Sequence, residues 1–213
     1  MDFDRVSLMP HPAHLPTAIG RIDVDVVWKN SAEWSFNYAV FEPPEALVLP
    51  PPSAPDRTEG LWRTTCFELF LRRPGRAAYF EFNFSPSGRW AAYRFDDYRQ
   101  GGRDLDVPVP LIMGPQARQR TLAWEARLTG MGIAPELAGQ MAATMMDVED
   151  GPVSSTNTYV LTEDGPALGE GPWQAAVSAV IEEPTGAISY WALAHPSDKP
   201  DFHHPDSFVL ELP

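Results

Sequence analysis

Short runs in which apolar and polar side chains alternate recur along the chain, and a period of two gives a strand two unlike faces. The clearest run spans residues 66–95. Phe67, Leu69 and Leu71 alternate with Cys66, Glu68 and Phe70, and Phe80, Phe82 and Phe84 alternate with Tyr79, Glu81, Asn83 and Ser85. RRPGRA and SPSG supply the Pro and Gly that reverse an antiparallel chain, and RWAAYRF then offers a third strand. In this reading one face is aromatic core, and Glu68, Glu81 and Asn83 share the other.

The same period predicts strands at residues 21–29, 33–41, 121–128, 174–183, 187–194 and 207–212, the PTG at 184–186 joining two of them as a hairpin. Residues 1–16 read as a leader, and 42–55, with six prolines, as a surface loop, because each Pro lacks a ladder donor. At 134–145 the composition turns to Ala, Leu and Met behind Pro135, which predicts one short helix. Residues 147–172 are polar, Gly-rich and acidic and read as a loop insertion. Many short strands with no βαβ alternation predict an all-β fold, an antiparallel β-sandwich of jelly-roll or immunoglobulin-like type, in one domain over residues 1–213.

Composition narrows the function classes. The 23 prolines among 213 residues argue against a helical protein. A formal net charge of −13 opposes nucleic acid as a partner, since phosphate binding needs a basic surface. The charge is unevenly spread: residues 57–103 hold nine Arg against five acids, whereas from Leu128 onward thirteen acids face Lys199 alone. The N-terminus lacks a basic start and an apolar run, no segment has the length and apolarity of a membrane helix, and the lone Cys66 excludes an internal disulfide, so the expectation is a soluble cytoplasmic protein.

Three groups of residues carry candidate chemistry. Trp62, Glu68, Glu81, Asn83, Arg89 and Trp90 combine aromatic platforms with hydrogen-bonding groups, which suits a saccharide: a flat apolar sugar face stacks on a ring while hydroxyls bond to Glu, Asn and Arg. Against this stands a structural reading in which the tryptophans are core and the charges form surface pairs. The second group, His195, His203 and His204 among Asp198, Asp201 and Asp206, has the donor types for zinc or another divalent metal, but its spacing matches no metal motif and the flanking prolines favour backbone capping. Catalysis has weak support. Glu68 and Glu81 have the residue types of a glycosidase pair, yet acids beside several arginines are more often ion pairs, and neither a phosphate-binding Gly loop nor a nucleophile elbow is present. The chain reads as a binding protein rather than an enzyme.

LWRTTCFELFL followed by YFEFNFSPSGRW resembles the strand–turn–strand signature of the type 9 carbohydrate-binding modules and the wider DOMON-like group, and SAVIEEPTGAISYWALAHPSDKPDFHHPDSFVLEL resembles the end of small bacterial proteins in that group. The resemblance covers about half the chain. It implies a sandwich in which two aromatic rings clamp a terminal sugar with help from Glu and Arg, matched here by Trp62, Glu68 and Arg89, with Trp173 and Trp191 competing for the second ring. Thr64, Thr65 and Cys66 depart from the acidic residue that related modules often place before the Glu-bearing strand. Some DOMON relatives bind haem through Met, His or Lys, which makes haem or a divalent metal the alternative ligand, with Met113 and one of the three late histidines as donors and no CxxCH motif for covalent attachment. No cofactor is otherwise expected. The expected partner is a saccharide or other small polar ligand, a protein partner being a further use of such a fold.

Overall fold

The alternating runs do form strands. The computed structural model describes residues 2–30, 33–42, 44–106, 110–113, 122–123, 125–128, 156–161 and 172–212. Fourteen strands are described: β1 (Asp2–Pro10), β2 (Ile22–Asn30), β3 (Glu33–Val40), β4 (Cys66–Arg72), β5 (Tyr79–Phe84), β6 (Trp90–Phe95), β7 (Arg103–Asp104), β8 (Pro110–Met113), β9 (Leu122–Ala123), β10 (Glu125–Leu128), β11 (Thr156–Leu161), β12 (Trp173–Glu182), β13 (Ile188–Ala192) and β14 (Leu210–Leu212). All their pairings are antiparallel. The helices among the described residues are single turns at Pro44–Ala46, Leu61–Arg63 and Pro205–Ser207. The helix expected at 134–145 lies outside the described residues.

The main path of paired strands runs β11-β3-β2-β1-β13-β12-β4-β5-β6-β7. It folds over at β1, whose residues 2–8 pair with β2 while Met9 and Pro10 pair with Ala192 and Trp191 of β13. The two halves face each other across one apolar core. Ile22, Val24 and Val26 of β2 and Phe36, Tyr38 and Val40 of β3 pack there with Phe67, Leu69 and Leu71 of β4, Phe82 and Phe84 of β5, and Val177 and Ala179 of β12. These are the period-2 apolar sets, and opposed inner faces of this kind define sandwich packing.

Two segments differ from the sequence reading. The leader contains β1; its alternation is masked by Asp2, Asp4 and Arg5, and the charge is tolerated because Arg5 pairs with Asp25 of β2 at 2.6 Å. Within 147–172, read as a loop, Thr156–Leu161 is a strand along β3. Its Thr and Asn residues obscure the alternation, and among the described residues it ends the path of paired strands.

Candidate functional site

The outer face of β4–β5–β6 with β12 and β13 carries the chemistry. Register puts Glu68 directly between Ser178 of β12 and Asn83 of β5, with Ala192 and Ala91 flanking that row. In the adjoining row Phe70 faces Glu81, and Glu81 faces Tyr93. Glu68, Glu81 and Asn83 thus share one face, as the alternation requires. Because Ser178, Ala91 and Ala192 are small, the Glu68 row lies low between taller side chains. Above it opens a cavity of about 550 Å³ lined by Glu68, Glu81, Trp62, Tyr93, Tyr190 and Arg99, with Phe202 and His203 closing one side.

Trp62 owes its position to the turn at Leu61–Arg63. Gly60 begins that turn with φ 74°, a conformation costly for residues with a Cβ. Leu61 plugs into the apolar cluster beneath, and the Thr64 hydroxyl donates to Glu182 of β12. Trp62 is left 42% exposed, edge-on to Tyr93 with ring centroids 6.5 Å apart. The opposite wall comes from residues 195–208. There Asp201 accepts from the Arg99 guanidinium at 2.7 Å, from the Tyr98 hydroxyl and from the His203 amide at 3.2 Å, which ties the wall to the turn after β6. Arg99 itself sits at φ 53°, an uncommon backbone for a non-glycine residue.

The floor is carboxyl-rich and buried. Glu68 and Glu81 are 3% and 6% exposed. Glu68 receives a hydrogen bond from Ser178 Oγ at 3.2 Å, and Glu81 one from Asn83 Nδ2 at 2.7 Å. Burial, reinforced by the neighbouring Glu81 charge, pushes the Glu68 pKa from its ordinary 4.5 up to about 8. Burial raises Glu81 to about 7 against the Asn83 hydrogen bond and the Arg99 charge, which favour ionisation.

His203 lies beside Glu81, Nε2 to Oε2 at 3.8 Å, with Nδ1 2.8 Å from the Tyr79 hydroxyl. The Tyr79 oxygen also accepts from the Arg99 amide at 3.2 Å. Burial, and then the Arg99 charge, hold the His203 pKa down at about 4, so the ring is neutral at pH 7.

Several expected residues stand elsewhere. Trp173 and Trp191, the competitors for the second ring, are each 1% exposed in the inter-sheet core, and the Trp191 indole N–H donates to Ser189. The outer-face positions of β12 and β13 are the alternate ones, so neither tryptophan can line the cavity. Arg89 sits on the exposed turn after β5, outside the cavity lining; the arginine at the cavity is Arg99. Trp90 is core, with its N–H donating to the Pro55 carbonyl. The three late histidines do not converge: His195 bonds the Met9 carbonyl, His203 faces Tyr79 and Glu81, and His204 accepts from the Asp206 amide at the last helical turn. Among the described residues no group of three or more His, Cys, Asp or Glu side chains is placed to hold a metal ion. The sequence reading missed Tyr93, Tyr190 and Arg99. Tyr93 had a signal, since it shares the polar-face parity of RWAAYRF; the other two depend on long-range pairing.

No family model matches the chain, and no curated protein matches it. Among solved structures it is similar to a crystal structure described as a "putative carbohydrate-binding protein" from Bacteroides uniformis ATCC 8492, with a TM-score of 0.55 and 14% identity over 97% of this chain and 84% of that one. At such identity the likeness is one of fold. Among the described residues no helix is long and apolar enough to cross a membrane.

Proposed function

We propose that the chain is a single, non-catalytic domain that binds a saccharide or similar polyol in the cavity over Glu68 and Glu81. The observation that carries this reading is the exposed Trp62 ring beside a floor of buried hydrogen-bonding groups, in a hollow whose volume falls within the roughly 300–1,000 Å³ of small-ligand sites. A sugar lays its apolar face on a ring, here Trp62 with Tyr93 or Tyr190, and offers hydroxyls to carboxyls that at neutral pH can donate as well as accept. The sequence resemblance to type 9 modules and the DOMON-like group supports the reading, as does the name of the structural neighbour. The ring pair differs from the one the resemblance implies, because the late tryptophans are core.

Calorimetric titration with a panel of neutral mono- and oligosaccharides tests it. Binding at millimolar concentration or tighter, lost in Trp62→Ala with folding intact, is expected. Either no binding across the panel, or binding unchanged by the substitution, overturns the reading.

A further inference from the structure

We infer that the cavity selects a ligand bearing an ammonium group, and that its preferred saccharide is an amino sugar with a free amine. The inference rests on the saccharide reading for the sugar part only; the ammonium part stands on the charge arrangement of the site.

Among the lining residues the acids, arginine and histidine are Glu59, Glu68, Glu81, Arg99 and His203. Arg99 is already engaged by Asp201 in an ion pair at 2.7 Å on the cavity wall. His203 is neutral, its Nδ1 facing the Tyr79 hydroxyl. The Arg99 charge acts on both acids but is shared with Asp201, and their direct partners are uncharged: Glu68 has the Ser178 hydroxyl, and Glu81 has the Asn83 amide and the neutral imidazole. Two carboxyls, on adjacent strands and diagonally placed, lie more than nine-tenths buried yet line an open cavity. A buried carboxyl must hold a proton or meet a cation.

The walls favour the cation. Trp62, Tyr93, Phe95 and Tyr190 surround the hollow, and ring faces attract an ammonium, more strongly where water is excluded. Across from Glu68 on β5, the Asn83 Oδ1 is a buried acceptor without a hydrogen-bond partner among the described residues. An ammonium brings three donors and a positive charge. The nearby tyrosines Tyr38, Tyr79 and Tyr93 stay neutral at physiological pH, because burial raises all three, and outside the lining the Arg57 and Asp104 charges pair with each other at 3.6 Å. A neutral sugar leaves the excess acid in place, whereas an ammonium displaces the carboxyl protons and forms charge-assisted bonds.

The test is calorimetry on the full chain at pH 6, 7 and 8 with glucosamine, galactosamine and mannosamine, their N-acetyl forms, the three parent hexoses, and ethanolamine as an amine without a sugar ring. Each titration is run in two buffers of different ionisation enthalpy. At pH 7 one free hexosamine should bind at least about tenfold more tightly than its parent hexose and its N-acetyl form, with proton release that the neutral sugars lack. Glu81→Gln and Glu68→Gln should each bring the amine down to the level of the hexose. Equal affinity for amine and hexose without proton release overturns the inference and leaves the saccharide reading standing. Binding of ethanolamine with no sugar bound supports the ammonium site and overturns the saccharide reading. No binding by any ligand overturns both. The proton-release measurement needs only the unmodified chain, so misfolding of a variant does not spoil the test.

Discussion

The Tyr38 hydroxyl crosses the interior of the sandwich and donates to the Glu68 carbonyl at 2.6 Å. One residue thus presents its side chain to the cavity on one face of the sheet and is held by its backbone from the other. Tyr38→Phe removes the donor without removing the ring. It should lower the unfolding free energy by about 1–2 kcal/mol in urea titration, while the cavity face stays as it is.

Stability should fall with rising pH above 6.5, where the two buried carboxyls fix the sign. Glu68 and Glu81, raised to about 8 and about 7, hold protons in the folded state that the unfolded chain has released above 4.5, so each costs stability as pH rises toward its folded value. His203, lowered from 6.5 to about 4, acts oppositely: the unfolded chain binds its proton below 6.5, and stability is lost as pH falls toward 4. The opposing slopes overlap below 6.5, and only the carboxyls act above it. Between pH 6.5 and 8 the unfolding free energy should drop by about 2 kcal/mol. Glu68→Gln, which cannot ionise, should remove most of that drop; an unchanged pH profile in this variant would contradict the buried position of Glu68.

Trp62 and Trp191 should separate sharply in mutagenesis. Trp191→Ala opens the inter-sheet core and strands the Ser189 hydroxyl, at a cost of about 3–5 kcal/mol. Trp62→Ala removes a 42% exposed ring and should change stability by less than about 1 kcal/mol. Thermal unfolding of the two variants side by side checks the contrast.

The wall at 195–208 hangs on Asp201. Asp201→Asn weakens the Arg99 pair and the Tyr98 hydrogen bond together, and in a half-exposed setting this should cost about 1–2 kcal/mol. Amide exchange of residues 201–204 should accelerate ahead of β12 and β13. Uniform exchange across all three segments would mean that the wall does not depend on the latch.

The strands and the shared face of Glu68, Glu81 and Asn83 were legible because parity is local: once a strand is placed, alternate residues must point the same way. The partners of that face were not. Tyr190 and Ser178 reach it through pairing of β12 with β13 and β4, more than a hundred residues along the chain from Glu68. Trp173 and Trp191 look like ligand platforms in a list of residue types, and only register shows that their parity is the inner one. Arg89 follows a turn whose exit direction no periodicity encodes, and β1 was concealed by charges, of which Arg5 pairs with Asp25 of β2.

The pairing of β4 with β12 also sets when the cavity can form. Every wall of the cavity draws on segments between Glu59 and His203, so no fragment that ends before the Asp201 latch contains a finished site. During synthesis the carboxyl face of β4–β6 exists first as an unfinished sheet edge, and it gains a neighbour only after residues 173–182 have emerged. On the proposed saccharide reading, truncated or stalled chains should be silent in a binding assay while still exposing a strand edge to aggregation.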